Sequence, residues 1–219
     1  AITLCLWAGA FVRDQVDVWV DGTVLPSLQT DVSTEVRDRN GDLLRVYTNT
    51  NGRWVLPVDL DAVDPTYLRM LIRYEDKRFA DHAGVDPVAM LRAVGQAVWH
   101  GRIVSGGSTL TMQVARLLED GGTGRWRGEL RQSRVAMALE RRLGKDEIVA
   151  LYLNHAPFGG NIEGVRAASY AYFDRPPRRL TPAQAALLVA LPQSPETRRP
   201  DRAPLAATRA RDTVLNRVA

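Results

Sequence analysis

Three short pairs, Asp64-Pro65, Asp86-Pro87 and Thr181-Pro182, constrain the fold of this chain more than any other feature. In each, a side chain able to cap a helix N-terminus precedes a proline, and helices tolerate proline well only in their first turn. The pairs predict helices near 65–80 and 87–100. A third helix starts at Thr181, where Gln184 completes a capping-box pattern, and stops at Pro192. Apolar spacing adds helices near 127–143, 145–153 and 161–172. Strand signals are confined to 33–58, where Asn40-Gly41 separates two strand-like runs and Asn51-Gly52 offers a second turn before Trp54. With 219 residues, 45% of them hydrophobic, the chain can bury one substantial core. The expectation is a mainly α fold with a minor N-terminal β hairpin.

Charge and cysteine content narrow the chemistry. The net charge is +4, and Lys77 and Lys145 are the only lysines among 29 basic residues. Arginine suits bidentate phosphate binding. A basic chain can meet nucleic acid, anionic lipid or a pyrophosphate substrate, and no stretch resembles a nucleic-acid-binding module. The lone Cys5 excludes an internal disulfide and a cysteine metal site. No pair among His82, His100 and His155 has metal-ligand spacing.

Two segments between Arg73 and Arg116 carry chemistry. Leu68, Leu71, Ile72, Glu75 and Phe79 recur at helical spacing, so a carboxylate occupies a position on an apolar stripe. Such an acid costs desolvation energy unless it is paired, hydrogen-bonded or facing a cleft. Glu75 is therefore either a general base or a structural acid paired with Arg73 or Arg78, and spacing leaves both readings open. Further on, Ser105-Gly106-Gly107 leads to Ser108, read as the N-cap of a helix running to about Glu119. Leu110, Val114, Leu117 and Leu118 form its core stripe, while Thr109, Met112, Gln113 and Arg116 share another face. A glycine-rich loop entering a helix N-terminus suits anionic oxygens, but an ordinary capped helix would look the same, and the Walker ending is absent.

The apolar run 1–12 before Arg13-Asp14 is too short to span a bilayer. Residues 1–13 are read as the exit end of a transmembrane anchor, followed by a β linker at 33–58 and one domain over 59–219. Within 89–104, Val98, Trp99, Ile103 and Val104 lie near Arg92, His100 and Arg102, a composition suited to a bilayer interface or to an amphipathic helix on the core. The 198–217 stretch, rich in arginine, reads as a solvated or interdomain face.

The pattern Glu75-Asp76-x-x-Phe79-x-x-His82-x-Gly84-x-Asp86, followed by Gly107-Ser108-Thr109-x-Thr111-x-Gln113, resembles the first two motifs of the family 51 peptidoglycan glycosyltransferases. The likeness continues through RQSRVAMALERRLGKDEIVALYLN, APFGGNIEGVRAASYAYF and LTPAQAALLVALPQSP, covering about 35–218. MQVAR and APFGG resemble the 1C-type class A penicillin-binding proteins in particular.

The resemblance implies a lysozyme-like domain whose smaller lobe, about 89–107, is membrane-proximal. It also implies polymerisation of lipid II with inversion: a sugar 4-OH attacks the anomeric carbon of a growing glycan chain and polyprenyl pyrophosphate leaves. Glu75 would be the base and Asp76 its neighbour. Ser108, Thr109, Gln113, Arg116, Arg125 and Arg127 would hold the donor and its pyrophosphate. Phe79, His82, Asp86 and Asn154 would support the site; Asn154 can also be read as a simple helix cap. The expected setting is the outer side of the bacterial cytoplasmic membrane, with a single-pass anchor. Expected partners are lipid II, the glycan chain, a fused transpeptidase domain and other cell-wall enzymes, and no nucleic acid.

Two departures stand out. Gln132 occupies the place of a second family Glu, eight residues before Glu140, and Glu129 stands where Lys is common. Gln132 can hydrogen-bond but holds a metal weakly. No metal ligand set is assigned, and assistance by a divalent cation such as magnesium is left open. The departures favour, as an alternative, a weakly active or non-catalytic lipid II-binding scaffold. A lysozyme-like murein hydrolase is a more distant alternative, because it would have no pyrophosphate to hold.

Overall fold

The computed structural model describes residues 2–100, 107–119 and 126–218. The chain divides into two compact units, one formed by 1–28 and 80–148 and the other by 29–79 and 149–219. Helices dominate both, as the sequence predicts.

The first unit contains α1 (Ile2–Asp21), α3 (Pro87–His100), α4 (Leu110–Leu118) and α5 (Trp126–Glu140). Its core lies where α4 packs along α5. Leu110, Met112, Val114 and Ala115 are buried on α4, and Val135, Ala136, Ala138 and Leu139 on α5. The end of α1 is tied to the same part of the unit by arginines. Arg141 pairs with Asp17 and Asp21, and Arg134 donates to the Trp19 carbonyl at 2.8 Å with its guanidinium over the Trp19 ring. These pairs also answer an electrostatic problem, since acids in the last turns of a helix oppose its dipole. Residues 2–13 lie in the first part of α1, which continues through Arg13. Among the described residues, no helix is long and apolar enough to cross a membrane.

The second unit holds α2 (Pro65–Glu75), α7 (Val165–Phe173), α8 (Pro182–Ala190) and α9 (Pro204–Val218), with most of α6 (Lys145–His155). Both α2 and α9 pack on α8. Alanines make that approach close: Ala185, Ala186 and Ala190 of α8 are fully buried beside Leu188 and Val189. Against them α2 buries Tyr67, Leu71 and Tyr74, and α9 buries Ala207 and Val214. The helix starts follow the sequence signals. Asp64 accepts from Thr66 N at 2.8 Å, and Thr181 and Gln184 form a complete capping box.

The hairpin is present as β1 (Thr34–Arg37) paired antiparallel with β2 (Leu43–Tyr47), its turn containing Gly41 at φ +89°. A second sheet is less legible in the sequence. Strand β3 (Trp54–Val55) pairs parallel with β5 (Ile162–Glu163), which pairs antiparallel with β4 (Pro157–Gly159). Helix α7 therefore starts at Val165 rather than 161. Gly164, at φ +83°, turns the chain there, and a Cβ would come within 3.1 Å of the Asn154 carbonyl oxygen.

Two carboxylates bind the strands to the helices. Glu35 accepts a bidentate pair from Arg166 at 2.7 and 2.8 Å, and those hydrogen bonds hold its carboxyl below the usual range. Burial pushes the Glu163 carboxyl up, but hydrogen bonds from His155 and Arg53 outweigh it and leave the group lowered. A lowered carboxylate stabilises the fold above its unfolded pKa near 4.5, and that contribution is lost as pH falls through the folded value. Glu163→Gln is expected to lower unfolding free energy by about 1–2 kcal/mol at neutral pH. In urea titrations the difference from the parent should shrink toward zero below that range. A pH-independent difference would contradict the linkage.

Candidate active site

The second unit carries Glu75 as the last residue of α2. The helix ends because Asp76 leaves helical geometry (φ −153°, ψ 81°) while its N–H still donates to the Ile72 carbonyl at 2.9 Å. Phe79 then starts a separate 3-10 turn instead of continuing the helix to 80, and its ring is buried. The apolar face of α2 is accordingly Tyr67, Leu71 and Tyr74, rotated from the expected Leu68–Ile72–Glu75 stripe. Glu75 is half-buried beside that face. Burial first, and the negative charge of Glu75 second, push up the pKa of the enclosed Tyr67 phenol. Asp76 is itself buried.

The Glu75 carboxylate has a partner that sequence reasoning missed. Gln193 Nε2 donates to Glu75 Oε1 at 2.9 Å. The Gln193 carbonyl accepts from Arg198 Nη1 at 3.2 Å, and the same Arg198 nitrogen donates to the Ala190 carbonyl at 2.8 Å. The amide is thereby held in one orientation and one carboxylate oxygen is fixed. Arg198 was expected on a solvated or interdomain face; it lies behind Glu75. The only sequence signal for this pair is its position just after the Pro192 helix stop, which says nothing about where α2 ends. Arg73, one of the two salt-bridge partners considered for Glu75, forms no ion pair among the described residues.

The first unit carries the second motif. Thr109, not Ser108, caps α4: Thr109 Oγ1 accepts from Met112 N at 3.1 Å and donates to the Gly84 carbonyl at 2.5 Å. That second bond lets Thr109 sit fully enclosed, while Ser108 is exposed. Gly84 can receive it because it lies at φ +92° directly on α5, where a Cβ would come within 2.6 Å of the Ala136 backbone. Asp86 caps α3, accepting from Val88 N at 2.9 Å and Ala89 N at 3.1 Å. Gln113 and Arg116 are half-buried on α4, and Arg116 makes no ion pair or side-chain hydrogen bond among the described residues. Arg125 lies outside the described residues, as does the side chain of Arg127.

A buried charge node supports this helix. Glu140, with 5% of its side chain exposed, accepts from Thr111 Oγ1 at 2.6 Å and from Lys145 Nζ at 2.7 Å. Lys145 also donates to the His82 carbonyl at 2.7 Å, which ties the His82–Gly84 turn to α5 and α6. Gln132 is half-buried on α5, and its amide has no hydrogen bond to a described residue. Arg131, next to Gln132 on α5, pairs with Glu119 at 2.9 Å. Asn154 belongs to the framework of the second unit. Its amide accepts from Val58 N at 2.9 Å and donates to the Val58 carbonyl at 3.1 Å, anchoring the β linker to α6. Among the described residues, no three His, Cys, Asp or Glu side chains are grouped as metal ligands.

These features define a class. Residues 40–219 match the family model described as Transglycosylase, and the chain belongs to that family, the peptidoglycan glycosyltransferases. It is 46% identical over 195 residues to penicillin-binding protein 1C of Escherichia coli K12, covering 89% of this chain and 25% of that protein. It is 33% identical to penicillin-binding protein 1F of Bacillus subtilis 168, covering 84% of this chain and 25% of that one. It is 37% identical to the biosynthetic peptidoglycan transglycosylase of Chromobacterium violaceum, over 63% of this chain and 60% of that protein. The chain thus spans about a quarter of the first two relatives.

The capping assignment has a direct consequence. Thr109→Ala removes two hydrogen bonds at a buried helix start and is expected to cost about 1–2 kcal/mol. Ser108→Ala should change stability by less than about 0.5 kcal/mol. Denaturant midpoints of the two variants check the order, and a larger loss at Ser108 would refute it.

Proposed function

We propose that this domain polymerises lipid II, the 4-OH of one lipid-linked disaccharide displacing polyprenyl pyrophosphate from the anomeric carbon of a growing glycan chain, with inversion. The observation that carries this reading is Glu75, a half-buried carboxylate at a helix end with one oxygen fixed by Gln193. A hydroxyl nucleophile needs a base in the transition state, and an oriented carboxylate within hydrogen-bond reach supplies one. Asp76 orients the end of the helix. Pyrophosphate develops charge as it leaves, and the N-terminus of α4 with Arg116 on its exit turn suits that charge. Ser108, Gln113, Arg125 and Arg127 complete the donor-holding set in this reading, and Phe79, His82, Asp86 and the enclosed Thr109 cap hold its scaffold. Gln132 contributes a neutral amide to sugar or phosphate where a second acid is common in the family. No strong general acid is required, because pyrophosphate is a good leaving group.

The setting follows from the substrate. Lipid II is embedded in a bilayer, so the domain works on the outer face of the cytoplasmic membrane, anchored through the segment that includes residues 1–13. Its first two relatives are about four times longer than the stretch they share with this chain, which supports a fused transpeptidase domain in the whole protein. Gln132 and Glu129 favour a second reading, a scaffold that holds lipid II without polymerising it.

The membrane-anchored protein incubated with lipid II separates these readings. The expected result is lipid-linked glycan that lengthens with time, with no soluble muropeptide released from finished glycan. Release of soluble fragments would make the domain a hydrolase, and lipid II binding without lengthening would make it a scaffold.

A further inference from the structure

The second unit has a cationic cleft that the glycosyl-transfer reading does not use. It encloses about 650 Å³ along α2, with Arg69, Arg73 and Lys77 at its walls and Met70, Ile72 and Val218 supplying apolar surface. Among the described residues, no acidic side chain lines it. At 100° per residue, Arg73 is turned about 160° and Arg69 about 120° from Glu75 around the helix, so the cleft faces away from the carboxylate.

These charges have no acidic partner among the described residues. Arg69 donates one hydrogen bond to Thr66 Oγ1 at 3.2 Å, and Arg69, Arg73 and Lys77 form no ion pair among the described residues. Some arginines of this unit are matched with acids, Arg53 with Glu163, Arg166 with Glu35, Arg199 with Asp201 and Arg211 with Asp212, and others, such as Arg178, Arg179 and Arg202, are in no ion pair among the described residues. What sets Arg69, Arg73 and Lys77 apart is that they share one cleft lined by no acid among the described residues. Arg69 and Arg73 are also one turn apart, and like charges at that spacing destabilise a helix by about 0.2–0.5 kcal/mol. The helix dipole favours Arg73 near the C-terminus of α2, but it gives Arg69, a turn earlier, much less.

We propose that Arg69, Arg73 and Lys77 form a second anion site on the back of α2 that binds phosphate groups. Two guanidinium forks and an ammonium converging on one hollow suit the oxygens of a phosphate ester or pyrophosphate. The apolar surface supplied by Met70, Ile72 and Val218 accommodates the carbon portion of a phosphate-bearing amphiphile. The group has two possible sources, a soluble phosphate or a lipid headgroup, and the two arms of the test distinguish them.

The test compares the parent with Arg69→Gln/Arg73→Gln/Lys77→Gln. One arm is calorimetric titration with inorganic pyrophosphate; the other is cosedimentation with phosphatidylglycerol vesicles against phosphatidylcholine vesicles. The triple variant is expected to lose about tenfold in affinity in at least one arm at low salt, with the difference fading at high salt. Loss in the pyrophosphate arm identifies soluble phosphate, and loss confined to the anionic vesicles identifies headgroups. Arg116→Gln, which weakens the pyrophosphate site proposed at α4, should leave the difference between parent and triple variant unchanged when introduced into both, which separates this site from the reaction centre. Arg73→Gln alone, at a solvent-facing position, gives a smaller loss in a protein that keeps its fold if the triple variant does not. Parent affinity in both arms for a folded variant overturns the site, whatever the outcome with lipid II.

Discussion

Helix α2 is clamped at both ends, and the placement of its carboxylate depends on that clamp. At its start the two oxygens of Asp64 do different work. One accepts from Thr66 N within the helix, and the other accepts from Leu180 N, while the Asp64 N–H donates to the Pro177 carbonyl. At its end Glu75 takes the amide of Gln193, just beyond α8. The segment 177–193 therefore grips α2 from both sides, and the close-packed alanines of α8 set the distance between them. An 11-residue helix is marginal alone in water, so this tertiary grip and the buried Tyr67–Leu71–Tyr74 face sustain it. The catalytic assignment rests on the same contacts, because a carboxylate on a fraying helix end would have no fixed direction.

The first unit uses a different device for the same end. Its helix α4 is positioned by a side-chain network in place of a grip at both termini. Thr109 reaches the Gly84 carbonyl, Thr111 reaches Glu140, and Lys145 joins Glu140 to the His82 carbonyl. A charge as enclosed as Glu140 is stable only while both partners remain, since loss of one partner of a buried pair costs about 3–5 kcal/mol. The motif residues around His82 and Gly84 are thus as much about locating the α4 N-terminus as about touching substrate. Gly84 shows why the spacing is strict: only a residue without a Cβ fits against Ala136 at that φ.

Helix starts were legible because capping is local. Asp64, Asp86 and Thr181 each cap the helix that their Pro neighbour announces, and the family was legible because several motifs follow one another in order. What the sequence hid was decided over long range. Ser108 and Thr109 are both competent caps, and the choice falls to a carbonyl 25 residues away. The periodic stripe through Phe79 misses the end of α2, because burial of Asp76 and Phe79 overrides a pattern that would otherwise continue. Strands of two or three residues, such as β4 and β5, carry too few side chains for alternation to show, and the pairing of β5 with both β4 and Trp54 is set by the fold. Gln193 and Arg198 lie in an irregular stretch with no period at all, so their place behind Glu75 could emerge only from three-dimensional packing.

The central claim is that Glu75 is the base of glycosyl transfer, and the most direct measurement is single-turnover polymerisation of lipid II by Glu75→Gln beside the parent. The amide keeps the shape of the side chain and can still meet Gln193, so lipid II binding should be preserved. The account predicts a fall in the chemical step of about 10²- to 10⁴-fold with unchanged affinity for lipid II. A variant that polymerises at the parent rate would contradict it.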